Sequence, residues 1–163
     1  MPMTKLKVRD LMTTEVLTLR PDDTIKKAAI KLALDNMSGA PIVDAKYHLL
    51  GFLSEIDILN LIMKSQMKLD KEDGVDRLLD YSMDSTLPLD DNLRQVSEEI
   101  SNTEVSSIMV RSVMTTTPDA PIIEVLKIML RLSINRIPVL EKGVLVGVIS
   151  RSDIIFALYK KKA

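Results

Sequence analysis

Two short motifs in the chain could do chemistry. They are Ser54-Glu55-Ile56-Asp57 and Ser150-Arg151-Ser152-Asp153. A serine followed three residues later by an acid suits a helix start. The hydroxyl accepts from a backbone N–H of the first turn, and the carboxylate reaches back to the serine N–H. The same groups can also hold a ligand. A carboxylate accepts two hydrogen bonds from a vicinal diol, while the hydroxyl and the free N–H groups of the helix start meet a phosphate. Both readings stand at this level, one structural and one functional.

The second motif is better supplied for an anion. Ser150, Arg151 and Ser152 put two hydroxyls and a guanidinium at one helix start, and Arg136 stands just ahead of the strand that begins at Ile137. An arginine fork donates two parallel hydrogen bonds to a phosphate. The bland alternative for Arg136 and Arg151 is surface solubility. In the first motif Glu55 stands where Arg151 does, Gly39 stands where Arg136 does, and a carboxylate beside a phosphate repels it. This favours one good site, at Asp153. Catalysis has less to work with. The chain has no cysteine and a single histidine, His48, in a turn, and it carries no Ser/His/Asp set, HExxH or P-loop. We therefore expect no enzyme, no catalytic cofactor and no metal site.

The elements that position these motifs occur twice. Val8-Arg9-Asp10-Leu11-Met12 aligns with Val105-Ser106-Ser107-Ile108-Met109, 97 positions on. The same offset pairs Val16-Leu17-Thr18 with Val113-Met114-Thr115, Pro21-Asp22 with Pro118-Asp119, and Pro41-Ile42-Val43 with Pro138-Val139-Leu140. One residue is then lost in a turn, and Gly51 to Ile58 matches Gly147 to Ile154 at an offset of 96. In each copy a short strand at Val16–Leu19 (Val113–Thr116) ends near a proline. An amphipathic helix follows, with Ile25, Ala28, Ala29 and Leu32 (Ile122, Val125, Leu126 and Met129) on one stripe. Asp22 and Asp119 are placed to cap these helices. Strands at Ala40–Val43 and Leu49–Ser54 (Ile137–Leu140 and Val144–Ser150) then form a hairpin, and a closing helix begins near Ser54 or Ser150.

Residues 1–68 thus hold the first copy and residues 105–163 the second. Residues 69–104 form an acidic connection. It has a polar break at residues 70–74 and an amphipathic helix of about 10 residues carrying Leu93, Val96 and Ile100. Residues 60–104 have 5 basic and 11 acidic side chains, and the rest of the chain has 17 and 12. The copies are mildly cationic, which suits a small anion.

The 163 residues are 46% apolar, 28% charged and only 3% aromatic, so aliphatic side chains fill the core, with the 10 methionines as gap fillers. A net charge of −1 gives no electrostatic case for nucleic acid. No apolar run approaches the roughly 18 residues that span a bilayer. The N-terminus lacks a signal-peptide pattern. A cytoplasmic protein without a membrane anchor is expected.

The repeated order of strand, proline, helix, x-x-Pro-Val/Ile-Val/Leu-Asp/Glu and Gly-h-h-Ser-x-x-Asp resembles the cystathionine-β-synthase (CBS) domain, and the tandem resembles a Bateman module. The resemblance covers nearly all of the chain outside the middle segment. It implies an α/β (α+β) fold of two β-α-β-β-α units, related by a pseudo-twofold axis and packed through their sheets, with clefts between them. It implies a regulatory module that binds AMP, ADP, ATP or S-adenosylmethionine, often forms a homodimer, and signals to a client enzyme or transporter. Asp57 and Asp153 take the position of the family's ribose-binding acid, and Arg136 that of its phosphate-binding basic residue. Ser54, Ser150, Ser152 and Arg151 accompany them. Thr18 and Thr115 lie in a loop that lines the family's clefts, although their β-branched type also suits a plain strand.

Overall fold

The computed structural model describes residues 2–73 and 91–162. Pro88 and Asp90, which the sequence places at the entry to the connecting helix, lie outside the described residues.

The element order is a short 3-10 turn (Met3–Lys5), α1 (Val8–Leu11), α2 (Ile25–Leu34), β1 (Gly39–Val43), β2 (Leu49–Ser54), α3 (Glu55–Asp73) and α4 (Asp91–Asn102). A second 3-10 turn (Val105–Ser107), α5 (Ile122–Leu132), β3 (Arg136–Glu141), β4 (Val144–Ser150) and α6 (Arg151–Lys162) complete it. The fold mixes helices and strands, with two copies of helix–hairpin–helix. Each hairpin is an antiparallel pair, β1 with β2 and β3 with β4. The β3–β4 turn is Lys142-Gly143, with φ of 53° and 82°. Positive φ at both central residues gives the twist that a two-residue hairpin needs, and Gly143 takes it without steric cost.

The expected strands before the first prolines are shorter than the sequence suggests. Only Leu19 pairs with Ile42, and only Thr116 with Val139, each as a single parallel bridge. Pro41 and Pro138 have no N–H to give, so the ladder there rests on their carbonyls, which accept from Leu19 N–H and Thr116 N–H. The polar run at residues 70–73 is helical, as the last turn of α3. The connecting helix is present as α4, which packs on α2 and α3 and buries Leu93 and Ile100.

The expected aspartate caps are not formed. Thr24 is the N-cap of α2 and accepts from Lys27 N–H at 3.2 Å. Pro121 occupies that place at α5 and has no side chain able to cap. Asp119 instead accepts from Arg9 Nη2 at 2.7 Å and Nε at 3.1 Å. The buried acid near α2 is Asp23, beside the predicted Asp22. It accepts from Arg20 N–H at 2.8 Å and pairs with Lys27 at 3.0 Å.

The chain packs into two compact units that do not follow the order of the repeats. One comprises Met1–Thr18, Val43–Leu50 and Ser112–Ala163, and the other Leu19–Ile42 and Gly51–Arg111. In the first unit, Leu6 and Val8 are buried in one core with Ile122, Val125, Met129, Ile137, Val139, Ile149 and Ile154. Here the N-terminal segment completes a core made otherwise from the end of the chain. In the second unit the start of the second repeat does the corresponding work. Val105 and Met109 are buried in the unit that also buries Leu19, Ile25, Leu32, Ile42 and Leu53.

Candidate functional site around Asp153

The site is assembled where β4 ends and α6 begins. Ser150 Oγ accepts from Asp153 N–H at 3.1 Å, and Asp153 Oδ2 accepts from Ser150 N–H at 2.9 Å. This is the reciprocal capping box, with Asp in the place of the usual Glu or Gln. It fixes the carboxylate at the start of α6, where the free N–H groups and the dipole favour an anion.

A third strand-like segment borders the site. Thr13 exchanges both backbone hydrogen bonds with Val148 of β4, each at 2.9 Å. That brings the Thr13 hydroxyl to Asp153 Oδ1, to which it donates at 3.3 Å. Gly147 permits the approach. A Cβ placed there would lie 2.8 Å from the Thr13 carbonyl oxygen and 3.0 Å from Met12 Sδ.

The two arginines are placed differently. In the β3–β4 register Arg136 lies directly across from Ser150, so the two side chains share one face of the hairpin. Arg151 donates from Nε to the Ile134 carbonyl at 3.0 Å, and its N–H bonds the Asn135 carbonyl at 3.0 Å. The guanidinium is therefore pinned to the turn between α5 and β3. Its four remaining N–H donors lie beyond that bond. Ser152 is exposed in the first turn of α6. Thr115 is half-buried beside Thr116, whose N–H and carbonyl bond Pro138 and Leu140 of β3. Thr115 makes no hydrogen bond to Asp153. The structure brings Ser150, Arg151, Asp153 and Arg136, which the sequence singles out, to one end of the β3–β4 hairpin, together with Thr13, which it does not. Nothing near Thr13 in the chain marks it, because its partners lie at the other end of the sequence.

The first-repeat counterpart has the same backbone and different chemistry. Phe52 and Val110 exchange backbone hydrogen bonds at 2.8 and 2.9 Å, as Val148 and Thr13 do. Val110 has no hydroxyl to offer Asp57. Both Ser54 N–H and Ser54 Oγ–H donate to Asp57 Oδ2, each at 2.9 Å, and Asp57 N–H donates back to Ser54 Oγ at 3.3 Å. Where Arg136 stands in the second repeat, Gly39 stands here. A Cβ on Gly39 would lie 2.7 Å from the Phe52 ring and 2.9 Å from the Leu53 carbonyl oxygen. The absence of an arginine at this point is thus a packing requirement. Thr18 is half-buried, one residue before the Leu19–Ile42 bridge.

The model of the CBS domain family matches residues 8–64 and 105–160. The chain belongs to this family, in its tandem form. An uncharacterised protein of Methanocaldococcus jannaschii is 28% identical over 155 residues, which are 93% of this chain and 90% of that protein. Among solved structures, CBSX2 in complex with AMP superposes with a TM-score of 0.70 at 19% identity, covering 96% of this chain and 98% of that one. The CBS domain pair of protein MJ0100, in complex with 5′-methylthioadenosine and S-adenosylmethionine, superposes at 0.62 with 22% identity, covering 97% and 98%. Among the described residues no cluster of His, Cys, Asp and Glu could hold a metal ion, and no helix is long and apolar enough to cross a membrane.

Proposed function

We propose that this chain is a non-catalytic sensor that binds an adenosyl ligand (AMP, ADP, ATP or S-adenosylmethionine) at Asp153 and signals its occupancy to a separate client enzyme or transporter. One observation carries the reading. Asp153 is held by both ends of the capping box at the start of α6, with Arg136 across the hairpin and Arg151 beside it. An acid for a sugar diol thus stands next to donors for a phosphate or carboxylate. Ser150, Ser152 and Thr115 complete the proposed lining. The corresponding Asp57, Ser54 and Thr18 make a poorer site, because Glu55 and Gly39 replace the two arginines. The AMP and S-adenosylmethionine in the related structures support the ligand class.

Calorimetric titration of AMP, ATP and S-adenosylmethionine into protein stripped of bound small molecules tests this. Binding in the micromolar to millimolar range, about −8 to −4 kcal/mol, is expected for at least one of them. Asp153→Ala is expected to abolish it and Asp57→Ala to leave it. Silence from all three ligands overturns the reading.

A second reading is a ligand-independent homodimerisation module. The exposed Ile155, Phe156 and Tyr159 on α6, and Leu59 and Met63 at matching positions of α3, favour it. It predicts a dimer by sedimentation that neither ligand nor Asp153→Ala changes.

A further inference from the structure

We infer that Thr13 is the positioning residue that orients the Asp153 carboxylate toward both hydroxyls of a ribose, an anchor that Asp57 lacks. The inference rests on the functional reading above and adds which side chain sets the selectivity of that site.

The two acids differ in how their lone pairs are spent and in what holds each carboxylate. A carboxylate oxygen accepts two hydrogen bonds, so the group has about four acceptor positions. At Asp153 the protein uses one on each oxygen: Oδ2 takes Ser150 N–H and Oδ1 takes the Thr13 hydroxyl. One position remains on each oxygen, which is the arrangement that two adjacent hydroxyls need. At Asp57 the protein spends both on a single oxygen, since Ser54 N–H and Ser54 Oγ–H share Oδ2. A diol reaching Asp57 finds one oxygen full. The Thr13 donor also holds the Asp153 carboxylate against rotation, so less ordering is left to the ligand. Its counterpart Val110 holds nothing.

Thr13 is exposed, and valine has nearly its shape, so Thr13→Val removes the hydroxyl with little change in packing. AMP, 2′-deoxy-AMP and 3′-deoxy-AMP are titrated into the wild type, Thr13→Val and Thr13→Ser. The wild type should prefer AMP to both deoxy analogues. Thr13→Val should weaken AMP by roughly tenfold, the size of one hydrogen bond to a charged group. It should also shrink the discrimination against one deoxy analogue, the one lacking the hydroxyl that meets Oδ1. Thr13→Ser should restore both quantities. Equal weakening of all three nucleotides, or no change in any, overturns the role of Thr13 while leaving the functional reading intact. A wild type that binds none of AMP, ATP and S-adenosylmethionine overturns both.

Discussion

The α-carbon of Gly147 lies so close to Thr13 that a single methyl group added to it would stand 2.8 Å from the Thr13 carbonyl oxygen. The close approach seats Thr13 against β4 and puts its hydroxyl on Asp153. Gly51 stands in the same relation to Val110, whose carbonyl oxygen an added Cβ would meet at 2.8 Å.

Gly147→Ala should therefore cost stability and ligand affinity together. The obstacle is backbone, which gives way less easily than a side chain, and overpacking of this kind costs about 1–3 kcal/mol. Chemical denaturation checks the first effect and AMP titration the second. Gly51→Ala should show the stability loss and leave AMP binding at Asp153 unchanged.

Val8→Ala should destabilise the protein by about 2 kcal/mol, from lost transfer energy plus a cavity. Val8 is fully buried among α5, β3 and β4 residues more than 100 positions away in the chain. Hydrogen exchange should show the amides of β3 and β4 losing protection. If only amides near residue 8 respond, the shared core is wrong.

Acid should weaken the unit that contains Asp23. Burial pushes this carboxyl up, but the Arg20 N–H, Lys27 and Lys31 outweigh it and hold its pKa below the ordinary value. The stabilisation is thus present above the unfolded carboxyl value of about 3.9 and is lost as pH falls through the lower folded value. Asp23→Asn should cost about 1–3 kcal/mol at pH 7. The gap between variant and wild type should close in denaturation curves taken at progressively lower pH.

Arg9 and Asp119 make a surface pair, each shifting the other toward its charged form. Asp119→Asn should change thermal stability only slightly, and less still at 1 M salt, because solvent and ions screen an exposed pair. A large loss would mean that the pair orients the N-terminal segment.

The repeat, the hairpins and the two serine–aspartate helix starts were legible in the sequence because each is a local pattern. Strand boundaries for β2 and β4 followed from hydrophobic runs ended by Ser54 and Ser150. The caps were misjudged because sequence position cannot show that Arg9 draws Asp119 away, or that Thr24 already serves α2. Thr13 was invisible for a related reason: its pairing with Val148 joins segments 135 positions apart, which the linear pattern does not encode. The Gly39–Phe52 contact lies inside a legible hairpin and depends on where the Phe52 ring turns, which strand periodicity does not fix.

The burial of Leu6 and Val8 among side chains that come after residue 120 has a consequence for biosynthesis. At a translation rate of about 5–20 residues per second, the first segment leaves the ribosome many seconds before its β-strand partners exist. Its apolar side chains must wait, and the core they share closes only after β3 and β4 have been made. Leu6 and Val8 are therefore expected to find their place late, after residues that follow them by more than 100 positions.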